Sequence, residues 1–498
     1  MRIARTVAFW LLVAALAACH VIVIQHSLSA RFWEDEAFNL TVPLNLLAGL
    51  GYASDGALSG STITPFDPRI STGPTVLLPV TAVLALGADP VIGARLVSVL
   101  FWMLLIGGLA VLGIRTAGRW AGLVAAAVPL AFNGFGSVSP IQGPADLLGE
   151  IPAAALLVWA LVVLPRRAWL AGLLVGLAVQ AKLIALLALP AFAVALWVLA
   201  PGRGWPRVLA ALRRSILPLV FVGVPTLLLE LAALLSLGPA GFVEHLRGLA
   251  HFVRGGGQSV TPTTVPQKLE ALAGAWFVPV WVAAGVAVLC VAIAAWALIV
   301  TRAGAAGTAS EVDADSRVDA AGRRHALMLA LAAATGVLAF VGWWATASHT
   351  PLWVRHPAPG VLAFVPIAAI VAVWGARVLL AGRTAGRAAA VVGMTLVSAS
   401  LAWSVAGHVA QTSAPQSETL ASQRAAVAPI RDWVESTGTD WLAAQPWGAA
   451  VAPIVLAGAH AGLWDAEAMR DVPRLTGLAC ETEVLVEGGR YRVCAPPN

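Results

Sequence analysis

Arg31-Phe32-Trp33-Glu34-Asp35-Glu36-Ala37-Phe38 sets three successive carboxylates directly behind the apolar run 7–27. Only 11% of this 498-residue chain is charged and its mean hydropathy is +0.85, so acids beside a long apolar segment are costly and need a reason. Two readings stand. Asp35 or Glu36 could cap a helix that begins here, its charge solvated where the helix dipole favours it. Alternatively, a catalytic carboxylate is held at the mouth of a membrane cavity. The choice depends on whether the rest of the chain points other polar groups at the same place.

With 59% hydrophobic residues and apolar runs throughout, the composition is that of a polytopic membrane protein. A net charge of +6 and a pI near 9.8 invite a nucleic-acid reading, but the arginines are spread over short loops between apolar runs, as membrane topology requires. Nucleic acid is therefore excluded as a partner. Lysine occurs only at Lys182 and Lys268 against arginine elsewhere, a bias that points to a GC-rich bacterial genome. The segment 1–27 is too long in its apolar part for a signal peptide, and no small-residue cleavage site precedes Arg31, so it is expected to be a retained first helix.

Arg2 and Arg5 place the N-terminus in the cytoplasm and Asp35 outside, at a bacterial plasma membrane. Residues 28–90 then form an outer loop with a helix at 36–49, followed by a short apolar run, Pro74–Gly87. That run would rise only about 21 Å, less than a hydrocarbon core of about 30 Å, and is read as an outer juxtamembrane helix. Spans follow at 91–114, 120–138 and 147–164. The run Ala168–Leu199 is too long for one ordinary span and short for two, with Lys182 near its middle. The positive-inside rule decides for two spans, because only then do Arg203, Arg207, Arg213 and Arg214 fall in the cytoplasm. Further spans at 215–237, 273–300, 326–346, 359–378 and 388–410 bring the total to about eleven. The cytoplasmic loops then hold more than half of the 31 basic residues. The segment 238–272 is expected to be a mobile outer loop, and 301–325 (Gly, Ala, Ser, Asp, Arg) a flexible cytoplasmic linker.

Beyond residue 410 the long apolar runs stop. A helix at 418–436, a strand near Trp441–Gln445, a second helix at 448–459 and a hairpin around Gly488-Gly489 predict a small extracytoplasmic α/β domain over 411–498. The fold class expected is thus all-α and polytopic over 1–410, with outer juxtamembrane helices and this small α/β domain. Cys19 and Cys290 lie in apolar spans as packing residues. Cys480 and Cys494 lie where a disulfide persists, although a regular hairpin would set Cys494 opposite Glu483 and leave Cys480 roughly 10 Å out of register. Trp433, Trp441, Trp447 and Trp464 serve either as domain core or as a stacking surface for glycan.

On this topology the informative polar residues gather on the outer side. Gln142-Gly143-Pro144-Ala145-Asp146 places Asp146 one helical turn before Glu150, on the same face, and Glu150 and Glu230 both lie inside apolar spans. Asp146 is either a first-turn acid favoured by the dipole or a binding carboxylate. Lys182 is either a snorkelling lysine or a cation aimed at the site. Arg355 and His356 precede Pro357, and a turn with an anchoring arginine explains them equally well. In Ala240–Arg254, Phe242, Leu246, Leu249 and Val253 form one apolar stripe, while Arg247, His251 and Arg254 fall on the opposite side. This helix would lie in the membrane interface, either as an anchor to anionic lipid or as a wall facing a phosphate, with Gly255-Gly256-Gly257 as a hinge.

In order and spacing, residues 1–380 resemble the GT-C class of membrane glycosyltransferases. The branch most similar contains protein O-mannosyltransferases, the lipid A aminoarabinose transferase and related family 39 proteins. The resemblance rests on Asp35-Glu36 after the first span, Ile70-Ser71-Thr72-Gly73-Pro74 before the short helix, and Gly93-Ala94-Arg95-Leu96 opening the next span. It continues through Asp146, Gly176-Leu177-Ala178-Val179-Gln180-Ala181-Lys182 and Arg355-His356-Pro357. The chain departs from the aminoarabinose-transferase branch at Gly73, where that branch has a lysine; Arg69 is the nearest base. The resemblance implies direct transfer of a sugar, with inversion, from a polyprenyl-phosphate donor to an acceptor hydroxyl on a glycan, lipid or protein at the outer face.

Asp35 is then the candidate general base, with Glu36 beside it, and crowding by Glu34 and Glu36 would raise its proton affinity. Lys182, Arg355, His356, Arg247, His251 and Arg254 are candidates for the donor phosphate. Asp146 and Glu150 are candidates for the acceptor or for a divalent cation, whose involvement varies across the class. Membrane lipid is the remaining partner. The rival reading, a transporter or lipid flippase without transferase activity, predicts paired repeats and charges near the bilayer midplane; the chain has no visible repeat, and its acids cluster at one surface. A scaffold whose outer domain binds partners is a second rival.

Overall fold

A computed structural model describes residues 2–56, 61–132, 143–254, 261–307, 314–382, 384–445 and 451–497. The expected hinge at Gly255-Gly256-Gly257, as well as Gln142 and Trp447, lie outside them. The chain begins with α1 (Arg2–Ser29) and α2 (Glu34–Leu47), then a two-stranded pair, β1 (Ala53–Ser54) with β2 (Thr64–Pro65), and the short α3 (Pro74–Ala85). Next come α4 (Pro90–Ala117), α5 (Arg119–Ala127), α6 (Glu150–Val163), α7 (Ala168–Ala181), α8 (Leu189–Leu199) and α9 (Trp205–Arg254). The helical region closes with α10 (Val265–Ala273), α11 (Val280–Gly307), α12 (Ala314–Thr346), α13 (Ala358–Ala381) and α14 (Thr384–Thr412).

Among the described residues, 7 helices are long and apolar enough to cross a membrane, in α1, α4, α9, α11, α12, α13 and α14. The shorter apolar helices Arg119–Ala131, Glu150–Val163, Ala168–Ala181 and Leu183–Leu199 occupy the other expected spans, and Pro74–Ala85 is the expected short helix beside them. At 14 residues each, α6 and α7 rise only about 21 Å. Glu150 opens α6 and Lys182 follows the last residue of α7, so both sit at the ends of these short helices.

Local sequence explains the boundaries. Asp89 caps α4 by accepting from the Ile92 amide at 2.9 Å, with Pro90 in the first turn. Thr264 and Gln267 form a capping box on α10, and α7 stops where Lys182 turns to extended backbone (φ −153°, ψ 117°). Gly238 (φ 69°) breaks α9 before Pro239, so the amphipathic segment is a separate limb, as its periodicity predicts. Two expectations need correction. The 301–325 stretch is mostly helix, because α11 continues to Gly307 and α12 begins at Ala314; its alanines favour helix more than its few glycines oppose it. The expected span at 273–300 instead begins at Val280, after α10 and a turn.

Small residues set the packing. On α12 and α13, a Cβ at Gly336 would overlap the Phe364 ring and one at Gly360 the Phe340 ring, a reciprocal knob and hole. Gly172 and Gly176 of α7 likewise bring its backbone against the Pro218 and Val222 carbonyls of α9. The central helix is α13, buried along most of its length, whereas the spanning part of α9 has few fully buried residues and packs through one side only, against α7 and α8.

After α14 come α15 (Leu420–Thr437), β3 (Trp441–Ala444), α16 (Val451–Leu456), β4 (His460–Leu463), β5 (Arg474–Thr476), β6 (Val484–Gly488) and β7 (Tyr491–Cys494). They form a five-stranded mixed sheet in the order β4-β3-β5-β7-β6. Periodicity missed β4 and β5, which are too short to show alternation. The β6–β7 hairpin turns at Gly489-Arg490 (Gly489 φ 59°), one residue later than expected, because Gly488 stays in β6 opposite Tyr491; with the bulge between Val484 and Val486 this sets Cys494 opposite Val484. The bend at Glu481–Thr482 then returns Cys480 to Cys494, and the two form a disulfide with Cα atoms 5.6 Å apart.

Candidate functional site

Neither Asp35 nor Glu36 caps α2. Trp33 is the N-cap without a side-chain bond, and Glu34, Asp35 and Glu36 fill the first turn. Successive helical side chains point about 100° apart, so the three carboxylates separate and each meets its own arginine. Glu34 pairs with Arg31 at 3.1 Å, Asp35 with Arg355, and Glu36 with Arg95 at 2.7 Å. The expected crowding around Asp35 is relieved in this way.

Glu36 and Arg95 are both fully buried. Arg95 spends all five N–H donors on the first turn of α2 and the segment before it: Nε (3.1 Å) and Nη2 (2.7 Å) on Glu36, Nη1 on the Leu28 (2.9 Å) and Ala30 (2.7 Å) carbonyls, and Nη2 also on Arg31 O (3.0 Å). The Leu147 amide donates to Glu36 Oε1 at 3.2 Å, and Asn39 donates to Leu147 O (2.9 Å) and Thr72 Oγ1 (3.0 Å). The first outer loop, the Asp146 loop and the lead-in to α3 are thereby tied together. Asp146 sits beside this knot, and burial and the Glu36 carboxylate push it up to about 7, against the pull of Arg95.

Asp35 is less enclosed, with 15% of its side chain exposed. Its partner Arg355 lies over the Trp353 ring at 4.3 Å and near Trp33 at 5.6 Å, so the guanidinium is held between indoles. Lys182 Nζ forms an ion pair with Glu150 Oε1 at 2.9 Å, at the N-terminus of α6, but neither buried Glu150 oxygen has a well-directed hydrogen bond, and Oε2 has no partner at all among the described residues. Gly149 and Gly73 shape this corner. A Cβ at Gly149 would overlap the Ala181 carbonyl oxygen, and one at Gly73 the Gln180 carbonyl oxygen; the Gly73 amide donates to Ala181 O at 3.1 Å. No lysine fits at position 73, which accounts for the departure noted there.

His356 follows Arg355, and its Nδ1 is buried without a partner. Burial, with Arg355, Lys182 and Lys268 nearby, holds its imidazole well below the ordinary value and hence neutral. Lys268 is buried, is pulled down to about 8 by desolvation, and donates to the Trp344 and Ala347 carbonyls at 2.6 Å each and to Thr350 Oγ1. It fastens α10 to the turn that leads into Arg355.

Asp35, Glu36, Asp146, Glu150, Lys182, Arg355 and His356 therefore lie in one neighbourhood built from four stretches of chain. Arg247, His251 and Arg254 do not join it. Arg247 pairs with Glu244 on its own exposed helix, and His251 and Arg254 are exposed. That limb is attached elsewhere, through His245 to Glu230 at 3.2 Å. Sequence reading gave no role to Arg95, Lys268, Trp33 and Trp353. Arg95 alone carried a signal, as an arginine inside an apolar helix. Among the described residues, no three His, Cys, Asp or Glu side chains assemble to hold a metal ion.

The helical bundle with its acid-bearing first loop, short helices and terminal mixed sheet has the GT-C fold. The particular likeness is to ArnT from Cupriavidus metallidurans. Its apo crystal structure matches with a TM-score of 0.59 and 14% identity, over 99% of this chain and 98% of that one. Its complex with undecaprenyl phosphate matches with a TM-score of 0.55 and 14% identity, over 97% of each chain. The sequence matches no family model and no curated protein.

Proposed function

We propose that the protein transfers a sugar from a polyprenyl-phosphate donor to an acceptor hydroxyl at the outer face of the bacterial plasma membrane, with inversion. The observation that carries this reading is the Asp35–Arg355 pair, in which a partly exposed carboxylate meets a cation held between two indoles. Support comes from ArnT, solved with undecaprenyl phosphate bound in the same fold, and from Cys480–Cys494, a bridge that persists in oxidising compartments.

In this mechanism the donor phosphate draws Arg355 away from Asp35, and Lys182 and the His356 imidazole complete the phosphate's surroundings. Freed of its partner, Asp35 accepts the acceptor's hydroxyl proton as the oxygen–C1 bond forms. The C1–O bond to phosphate breaks on the opposite face, and its electron pair leaves with the polyprenyl phosphate, stabilised by Arg355 and Lys182. The unbonded Glu150 oxygen and Asp146 receive acceptor hydroxyls. Glu36, both of its oxygens engaged, serves Asp35 by fixing its helix. Residues 1–410 form the catalytic unit and 411–498 the outer domain.

The test is purified protein in lipid vesicles supplied with a panel of synthetic undecaprenyl-phosphate sugars, reading released undecaprenyl phosphate. Wild type should turn over at least one donor, and Asp35→Asn should lose at least 100-fold while remaining folded. A wild type silent on every donor, or an Asp35→Asn variant as active as wild type, overturns the reading.

A further inference from the structure

Helix α15, the first element of the C-terminal region, touches the segment that carries Asp35, and the contact has an unusual form. The Phe32 amide donates to Gln423 Oε1 at 2.8 Å, and Gln423 Nε2 donates back to Phe32 O at 2.9 Å. One side chain thus satisfies both backbone groups of Phe32, as a paired residue on a neighbouring strand would. Both residues are sealed from solvent, Gln423 at 0% and Phe32 at 1% exposure, so no water replaces either bond. Around this contact, Ala30 bridges to Thr419 and Gln416 Nε2 donates to His26 O at 3.0 Å. The next residue, Trp33, is the N-cap of α2 and lies against Arg355, and Asp35 is in the first turn. Arg95 grips the same segment from within the bundle. The base segment is therefore held from two sides, and its outer grip comes from the far end of the chain.

The geometry points to Gln423 as a positioning residue for Asp35, so that the C-terminal region forms part of the working site rather than an appendage. This rests on Asp35 being the base. Gln423 reaches no substrate. It sets the backbone from which α2 starts, and a base displaced by about 1 Å loses about 100-fold in rate.

The experiment uses the full chain in vesicles with the undecaprenyl-phosphate sugar that wild type turns over, and compares three variants. Gln423→Glu keeps the acceptor for the Phe32 amide and loses the donor to its carbonyl; Gln423→Leu loses both. Arg424→Ala removes a neighbouring exposed pair that docks α15 on Asp89 (2.6 and 2.8 Å) without touching the base segment. The expected result is a graded fall in kcat, about 10-fold for Glu and about 100-fold for Leu, with the donor KM within twofold of wild type and Arg424→Ala unchanged. Binding of undecaprenyl phosphate alone should survive in all three. A kcat within twofold of wild type in folded Gln423→Leu overturns the inference, as does a loss shared equally by Arg424→Ala. Should the leucine variant not fold, a wild-type kcat for Gln423→Glu overturns it just as well. If wild type itself turns over no donor, it is the transferase reading that fails.

Discussion

Asp146 titrates at about 7 in the folded protein against an ordinary value of 3.8, because burial and Glu36 disfavour its charge more than Arg95 favours it. The folded state then binds more protons than the unfolded state between those values. Stability from this group is fully present below about pH 4 and is lost as pH rises through about 7. Asp146→Asn removes the titration, so its melting temperature in detergent should exceed that of wild type by a margin that widens from pH 5 to pH 8. Parallel curves would contradict the assigned surroundings. At this scale, the acids were legible because a charge among apolar residues demands an explanation, and Asp35, Asp146 and Glu150 all stood out on that ground. Their partners were not legible. Arg355 lies 320 positions from Asp35, and nothing local marks which arginine a carboxylate will meet. The basic stripe at Arg247, His251 and Arg254 misled because periodicity gives a helix its faces but not the neighbour each face receives.

Among the elements, the break between α7 and α8 matters most, since it presents Lys182 to Glu150. Two glycines hold it: Gly73 and Gly149 let backbone from two other loops lie directly on the Gln180–Ala181 carbonyls. Gly149→Ala would force these apart, an overpacking that costs about 1–3 kcal/mol. The expected result is a lower melting temperature together with weaker undecaprenyl phosphate binding, because Lys182 moves with its backbone. A variant as stable as wild type and binding equally well would refute the packing account. Charge placement revealed this break when apolar length could not, since only two spans put the following arginines on the proper side. The extra helix at 314–325 escaped notice because serine, aspartate and glycine resemble a linker locally, while a neighbouring helix can extend through them. Strands of three or four residues, such as β4 and β5, escaped for lack of a full period.

For the whole molecule, the transferase reading places Asp35, α15 and the sheet on one side of the membrane and the Arg203–Arg214 loop on the other. Cysteines introduced at the exposed Ser413 and Arg203 should therefore react with an impermeant maleimide from opposite sides, Ser413→Cys in intact cells and Arg203→Cys only after the membrane is opened. Labelling of both from outside would invalidate the topology and with it the mechanism. The polytopic helical character and the small terminal domain were legible from apolar length and loop charge, whereas only 7 of the expected spans are helices long and apolar enough to cross a membrane among the described residues. The dependence of one region on the other was not, because it lives in single buried contacts.

Three of those contacts join the two ends of the chain: Phe32 with Gln423, Asp55 with His460 and the Ala461 amide, and Ser61 with Leu463, at separations of 391, 405, 406 and 402 residues. During synthesis the ribosome delivers the first loop to the far side of the membrane long before any of these partners has been made. A nascent chain with all its spans inserted still holds its early loop without the bonds that fix it, so a polypeptide cut short by a premature stop leaves an assembled bundle with an unfinished centre.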